Sequence, residues 1–177
     1  MREQGVAHAT TKEIARAAGC SEALLYRHFD DKQGLFMAVL QERLPGFALP
    51  DGAVGTGTVE ANLVRLVGGL VDFYVDGFPI SASIFSSSTL LSAHREAISA
   101  HGAGPQVPQL RVQAYLEAER AAGRVRADVD LEAVSRLLVG AALHQAFLVA
   151  FWGDGRIDEP GLAPRLVAPL LPALLPG

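Results

Sequence analysis

Apolar positions recur along the chain at spacings of three and four, and Gly, Pro and small polar caps punctuate them. No stretch of useful length alternates as a strand does, so the pattern predicts an all-α fold. It is densest from Thr10 to Leu44. Thr10 stands as an N-cap with Glu13 at capping-box spacing, and Ile14, Ala15 and Ala18 fall on one helical face. Gly19 ends that helix, and Ser21 caps the next. Leu25 and Phe29, four apart, share the inner face of the second short helix. Glu22, Ala23, Arg27 and His28 lie opposite, with Leu24 and Tyr26 at the edges. A third helix follows from Lys32 through Leu35, Phe36, Val39, Leu40 and Leu44. Two short helices crossing at a tight turn make a helix-turn-helix, whose second helix enters the major groove. Lys32, opening the third helix, can meet a phosphate together with that helix's N–H groups.

Thr10-Thr11-x-x-Ile14-Ala15, Ala18-Gly19-Cys20-Ser21, Leu25-Tyr26-x-His28-Phe29 and Lys32-x-x-Leu35-Phe36 together resemble the DNA-binding domain of the TetR family of transcriptional regulators. The resemblance implies roles residue by residue. Thr11, Lys12, Tyr26, His28 and Lys32 would contact phosphate or groove edges. Ser21, which caps the helix beside them, is counted among the DNA-binding residues as well. Glu22, Ala23, Leu24 and Arg27 would face bases, with Leu24 able to read only thymine methyls. Glu22 is expected to stabilise its helix N-terminus more than to read cytosine. In the family another helix, about four turns long, precedes the motif, and residues 1–9 look like its last turn alone. The expectation is a loosened DNA-binding domain with weak DNA affinity.

Pro45-Gly46 stops the third helix, and residues 45–57, with four Gly and two Pro, read as a linker. Thr58 caps a long helix to about Asp76 with Leu63, Leu66, Val67, Leu70, Val71 and Tyr74 on its stripe. Gly77-Phe78-Pro79 is expected to break it. A Ser-rich helix runs from Ile80 to Ala100, and residues 101–108 form a loop. The next helix, Gln109 to Ala122, is read with Leu110, Ala114, Tyr115 and Leu116 inward and Glu117, Glu119 and Arg120 mostly outward. Gly123 ends it. Asp130 caps Leu131 to Trp152, which is apolar on nearly all sides and so must be buried on more than one, the second side against another copy of the chain. The tail from Pro160 is rich in Leu, but Pro169 and Pro172 should kink or break it near Ala168. The division expected is a DNA-binding domain over 1–44, a linker over 45–57, and a larger helical ligand-binding and dimerisation domain over 58–177.

Composition adjusts this reading. Half of the 177 residues are apolar, enough for a sizeable core. Residues 1–44 hold six Lys/Arg and six Asp/Glu, and residues 45–177 hold nine and thirteen. No basic field announces nucleic acid, so DNA contact rests on the placement of Lys12, Arg27 and Lys32. Cys20 is alone, which rules out an internal disulfide, and its place in the turn predicts a small buried side chain. There is no signal-peptide pattern, and the 16-residue apolar run from Leu137 to Trp152 is read as too short and polar to span a membrane, which implies a cytoplasmic protein.

Catalytic motifs are missing: no Gly-x-Ser-x-Gly, no phosphate-binding loop, no dinucleotide fingerprint. His94 and His101, seven apart, are too distant on a helix to share a metal. No enzyme activity, cofactor or metal is expected. The family resemblance implies a small-molecule effector inside the helical domain, with Phe73, Tyr74, Phe78, Phe85, Tyr115, His144 and Phe147 as candidate contacts. The reading is a ligand-responsive transcriptional regulator, a repressor by resemblance. It would act as a homodimer on palindromic double-stranded DNA and would not act at a membrane. Its rival is a dimeric helical ligand-binder whose DNA-binding domain is incomplete.

Overall fold

The computed structural model describes residues 11–29, 35, 52–100, 104–153 and 161–176. Every regular element among them is a helix. They are α1 (Thr11–Ala17), α2 (Glu22–His28), α3 (Val59–Phe85), α4 (Ser88–Ala100), α5 (Val107–Ala121), α6 (Leu131–Trp152), α7 (Leu162–Val167) and α8 (Leu171–Leu174). The all-α class therefore stands. The chain forms two compact units, Met1–Pro45 with Gly77–Gly104, and Gly46–Asp76 with Pro105–Gly177. The expected leading turn at residues 1–9, the Thr10 cap, Lys32 and most of the third motif helix lie outside the described residues; Leu35 is helical and buried.

The second unit has one apolar core. Leu63, Leu66, Val67 and Leu70 of α3 meet Val112, Tyr115 and Leu116 of α5, Leu131, Val134, Leu138 and Ala142 of α6, and Val167 and Leu174 of the tail. Each contributing stripe follows the three-and-four spacing read from the sequence. Local signals fix the helix ends. Thr58 Oγ1 accepts from Ala61 N at 3.0 Å, and Asp130 Oδ1 accepts from Ala133 N at 3.0 Å. Gly123 (φ 73°) and Gly153 (φ 68°) take the left-handed turn after α5 and α6.

Three expectations are corrected. First, Gly77-Phe78-Pro79 does not break the helix: α3 runs through Pro79 to Phe85. Pro79 removes one N–H from the ladder without stopping it, and the hydroxyls that follow stay on the helix, Ser81 Oγ donating to Gly77 O at 3.1 Å and Ser83 Oγ to Pro79 O at 3.0 Å. The break falls at Ser86-Ser87 instead, where Ser86 Oγ donates to Ser83 O and Ser87 Oγ accepts from Leu90 N. Second, Leu110 and Ala114 are exposed, while Glu119, read as outward, is completely buried. The stripe Val112, Tyr115–Leu116, Glu119 is the true inner face of α5. Third, α6 is 22 residues long, long and apolar enough to cross a membrane by length and composition. Its Leu131, Val134, Leu138, Ala142 and Ala146 are buried in the protein, together with the polar Ser135 and Gln145, so this stripe serves the core. The last residues of the segment expected as a linker carry several hydrogen bonds. Arg124 Nη2 donates to Gly57 O at 3.0 Å, Asn62 Nδ2 donates to Ala53 O and Thr56 O at 3.0 Å each, and Gly55 N–H is shared between both Glu119 carboxylate oxygens at 3.4 Å.

In the tail, α7 gives way to a 3-10 turn at Ala168–Leu170 before α8 resumes. The α-helix is thus interrupted at Ala168, where a kink or break was expected, because Pro169 and Pro172 supply no N–H to the helical ladder. Arg126 N–H donates to Leu174 O at 2.9 Å and ties the tail to the α5–α6 connector.

Candidate nucleic-acid interface

The local chemistry of residues 11–29 builds the motif. Cys20 N–H returns to Ala15 O at 3.0 Å as α1 ends, and Gly19 (φ 68°) supplies the reversal that a side chain would resist. Ser21 is extended, and its Oγ accepts from Leu24 N at 3.2 Å, starting α2. Phe29, again extended, closes α2 with its N–H on Leu25 O at 2.9 Å. Helices α1 and α2 pack on each other. Ala15 is buried at the crossing; Ile14, Leu25 and Phe29 are half-buried. Ala18, expected on the inner face, is exposed, and Cys20 is half-buried where a buried side chain was expected. At the turn the backbone rotates both off the α1 stripe.

Thr11 Oγ1 donates to the Glu22 carboxylate and lies 3.3 Å from the Tyr26 hydroxyl. Glu22 is thus half-buried between the two helices, bonded across the crossing and not standing free toward bases. It also lies in the first turn of α2, with Arg27 and His28 in the last, matching the helix dipole at both ends. Lys12, Ser21, Ala23, Leu24, Tyr26, Arg27 and His28 are exposed. Leu24 is 40% and Tyr26 51% accessible, which places two large side chains on the open face of α2 beside one cation. Such a face offers apolar contact for a thymine methyl, a guanidinium for guanine or phosphate, and a phenol and imidazole for the backbone.

The candidate effector contacts divide between the two units. In the second, Tyr74 packs against the core, with Phe73 edge-on to it at 5.0 Å between ring centres. Tyr115 is buried, and its hydroxyl has no hydrogen-bond partner. Asn62 and Glu119 both face it, but neither is in bonding geometry. Burial above all pushes the phenol up to about 12; Asn62 pulls the other way, the Glu119 carboxylate adds to the rise, and Arg124 opposes it least. His144 and Phe147 are exposed on α6, and Phe147 lies against Phe151, so an interior site in this unit cannot use them as they stand. In the first unit Phe78 is half-buried and Phe85 is 73% exposed. The residues that sequence reasoning passed over are Asn62, Glu119 and Arg124. The signal was available: Glu119 sits on the same i, i+3, i+7 stripe as Val112, Tyr115 and Leu116.

The folded state favours the neutral Tyr115 phenol, so its contribution to stability is whole below about pH 10 and is lost as pH rises through about 12. In alkaline unfolding curves Tyr115→Phe should flatten that decline. An unchanged decline would place the alkaline sensitivity elsewhere.

Comparison with known proteins agrees with this geometry. Residues 1–39 match the profile of the bacterial regulatory proteins, tetR family. A structure of a TetR-family transcriptional regulator from Mesorhizobium loti is 18% identical with a TM-score of 0.74, over 95% of this chain and 87% of that one. A TetR transcription regulator from Haloarcula marismortui is 22% identical with a TM-score of 0.68, over 99% and 92%. The transcriptional regulator FadR from Bacillus subtilis, solved in complex with stearoyl-CoA, is 14% identical with a TM-score of 0.69, over 97% and 92%. At these identities the structures establish a shared fold. Among curated proteins none matches the chain. Residues 1–39 thus match the tetR family of bacterial regulatory proteins, and the chain shares the helical fold of the solved regulators.

Proposed function

We propose that the chain is a ligand-responsive transcriptional regulator, a repressor that binds a palindromic operator in the cytoplasm as a homodimer. Residues 1–44 would bind DNA and residues 58–177 would bind effector and the second copy. The observation that carries the reading is the open face of α2, where Ala23, Leu24, Tyr26, Arg27 and His28 are exposed while α1 braces the helix from behind. Lys12 is exposed at the start of α1, where it can take a phosphate, and Lys32 is assigned the same role from its place in the motif. Thr11, Ser21 and Glu22 act at one remove, by fixing the crossing and the start of α2.

The homodimer is supported by α6. Its buried stripe faces the core, and its other side presents Leu137, Leu143, Phe147, Phe151 and Trp152 to solvent. An apolar stripe of this kind is self-complementary in a two-fold interface, which would set two α2 helices one DNA turn apart on a palindrome. The effector is a small molecule with a substantial apolar part. This follows from the aromatic character of Phe73, Tyr74 and Tyr115, and the stearoyl-CoA held by the Bacillus subtilis regulator is consistent with it. The activity assigned is binding, without catalysis or cofactor.

The test is selection of duplexes from a random library with the full chain, followed by the same selection with Arg27→Ala. The native chain should enrich a palindrome, and Arg27→Ala should lose about 1–3 kcal/mol of discrimination at one position in each half-site. Identical preferences in both would remove Arg27 from base reading; no enriched sequence from the native chain would overturn the regulator assignment.

A further inference from the structure

Residues 52–57 are not a free linker. Gly52, Gly55 and Gly57 have φ of 77°, 76° and 58°, so the segment is a chain of tight turns rather than an extended tether. Two sets of side chains hold those turns, one on each flanking element. From α3, Asn62, itself buried, grips Ala53 O and Thr56 O with its amide. From the end of α5 and the turn after it, Glu119 and Arg124 are ion-paired at 3.2 Å; Arg124 holds Gly57 O, and Glu119 accepts from Gly55 N–H. Glu119 has no exposed surface, and Arg124 keeps a quarter of its side chain in contact with water. A fully buried carboxylate adds little net stability over a well-packed apolar side chain, and such groups are best attested where they fix one arrangement among several. Here the fixed arrangement is that of a Gly-rich segment, which otherwise behaves as a coil and transmits no displacement.

The same α5 stripe carries Tyr115, one turn before Glu119. Its buried hydroxyl is faced by Asn62 and Glu119, two of the side chains that grip the segment. Anything that displaces this face of α5 therefore moves the grip. We propose that Asn62, Glu119 and Arg124 form a clasp that fastens residues 52–57 to the helical domain. Through it a shift of α5 passes into the chain leading back to the DNA-binding segment. The proposal rests on the regulator reading for its purpose. Glu119 and Arg124 are positioning residues in it, and Tyr115 is the group through which an effector's polar atom would act on both.

The experiment uses the full chain, without DNA or effector, so that failure of the operator reading cannot be mistaken for failure of the clasp. Amide hydrogen exchange is compared in the native chain, in Glu119→Gln, and in Glu117→Gln, which removes the same charge from the exposed side of α5. Glu119→Gln should speed exchange at Gly55, Thr56 and Gly57 by about tenfold, while Glu117→Gln leaves them unchanged. In parallel, spin labels at the native Cys20 and at Glu117→Cys report the spread of distances between the motif and α5. Glu119→Gln should broaden that spread. Unchanged exchange over residues 55–57 would overturn the clasp. Faster exchange with an unbroadened distance spread would overturn its coupling to the motif and leave a local brace. Should Glu119→Gln not fold, Asn62→Ala is read by the same two measurements, since it removes the bonds to Ala53 O and Thr56 O and leaves the Glu119–Arg124 pair whole.

Discussion

Arg124→Ala is expected to destabilise the folded chain by about 3–5 kcal/mol, a large share of the total stability of a domain this size. The guanidinium is the only cation paired with Glu119 among the described residues, and Glu119 is entirely buried. Removing it strands a carboxylate out of reach of water, with one shared, long bond from Gly55 as its remaining support. The loss of the bond to Gly57 O adds to this. Two residues along, Arg126 pairs with Asp128 at 2.7 Å, but both side chains are well exposed. Arg126→Ala should leave the urea midpoint almost where it was, because an exposed pair exchanges protein contacts for water at little net gain. Equal midpoints for the two variants would mean that the Glu119 pair is not held in the interior as described.

The second large effect is expected on α6. Leu137, Phe147, Phe151 and Trp152 are 62%, 46%, 66% and 60% exposed, yet they lie on a helix whose other side is core. Phe151 packs edge-on against Trp152 at 5.1 Å and lies 5.8 Å from Phe147, forming one aromatic cluster on the surface. Covering such side chains is worth about 1.5–3 kcal/mol each, enough in a two-fold contact to offset the cost of association. Leu137→Arg combined with Phe151→Glu should convert a dimer to a monomer in sedimentation, with the helical circular dichroism retained. It should also lower affinity for a palindromic duplex by about a hundredfold or more, because the second half-site is no longer tethered to the first. A double variant that sediments as the native chain does would show that this stripe is not the interface.

What was legible in the sequence was local. Ser21, Thr58 and Asp130 start helices by bonding N–H groups three residues ahead, and Gly19, Gly123 and Gly153 end them by a left-handed turn. Each needs only its neighbours, so each can be read from a short window. The interruption at Ala168 follows in the same way from Pro169 and Pro172. Pro79 broke this logic: one missing N–H did not end α3, and the helix went on to Phe85. The clasp was hidden for a different reason. Glu119 and Gly55 are 64 residues apart, and nothing near either names the other. A carboxylate on an apolar stripe was the one local sign that a distant partner had to exist. The open face of α2 was legible in outline, because spacing alone decides which of Ala23, Leu24, Arg27 and Leu25 share a side. The bond from Thr11 that draws Glu22 between the helices was not, since it depends on the crossing itself.

The most direct test of the central claim, that the open face of α2 enters a DNA groove, is to titrate the isotopically labelled full chain with its selected duplex and follow each amide. The account predicts that Ala23, Leu24 and Arg27 shift most, that Ala15 and Leu25 behind them shift little, and that the effect fades as salt is raised. Large shifts confined to residues outside α1 and α2, or none at any salt concentration, would contradict it.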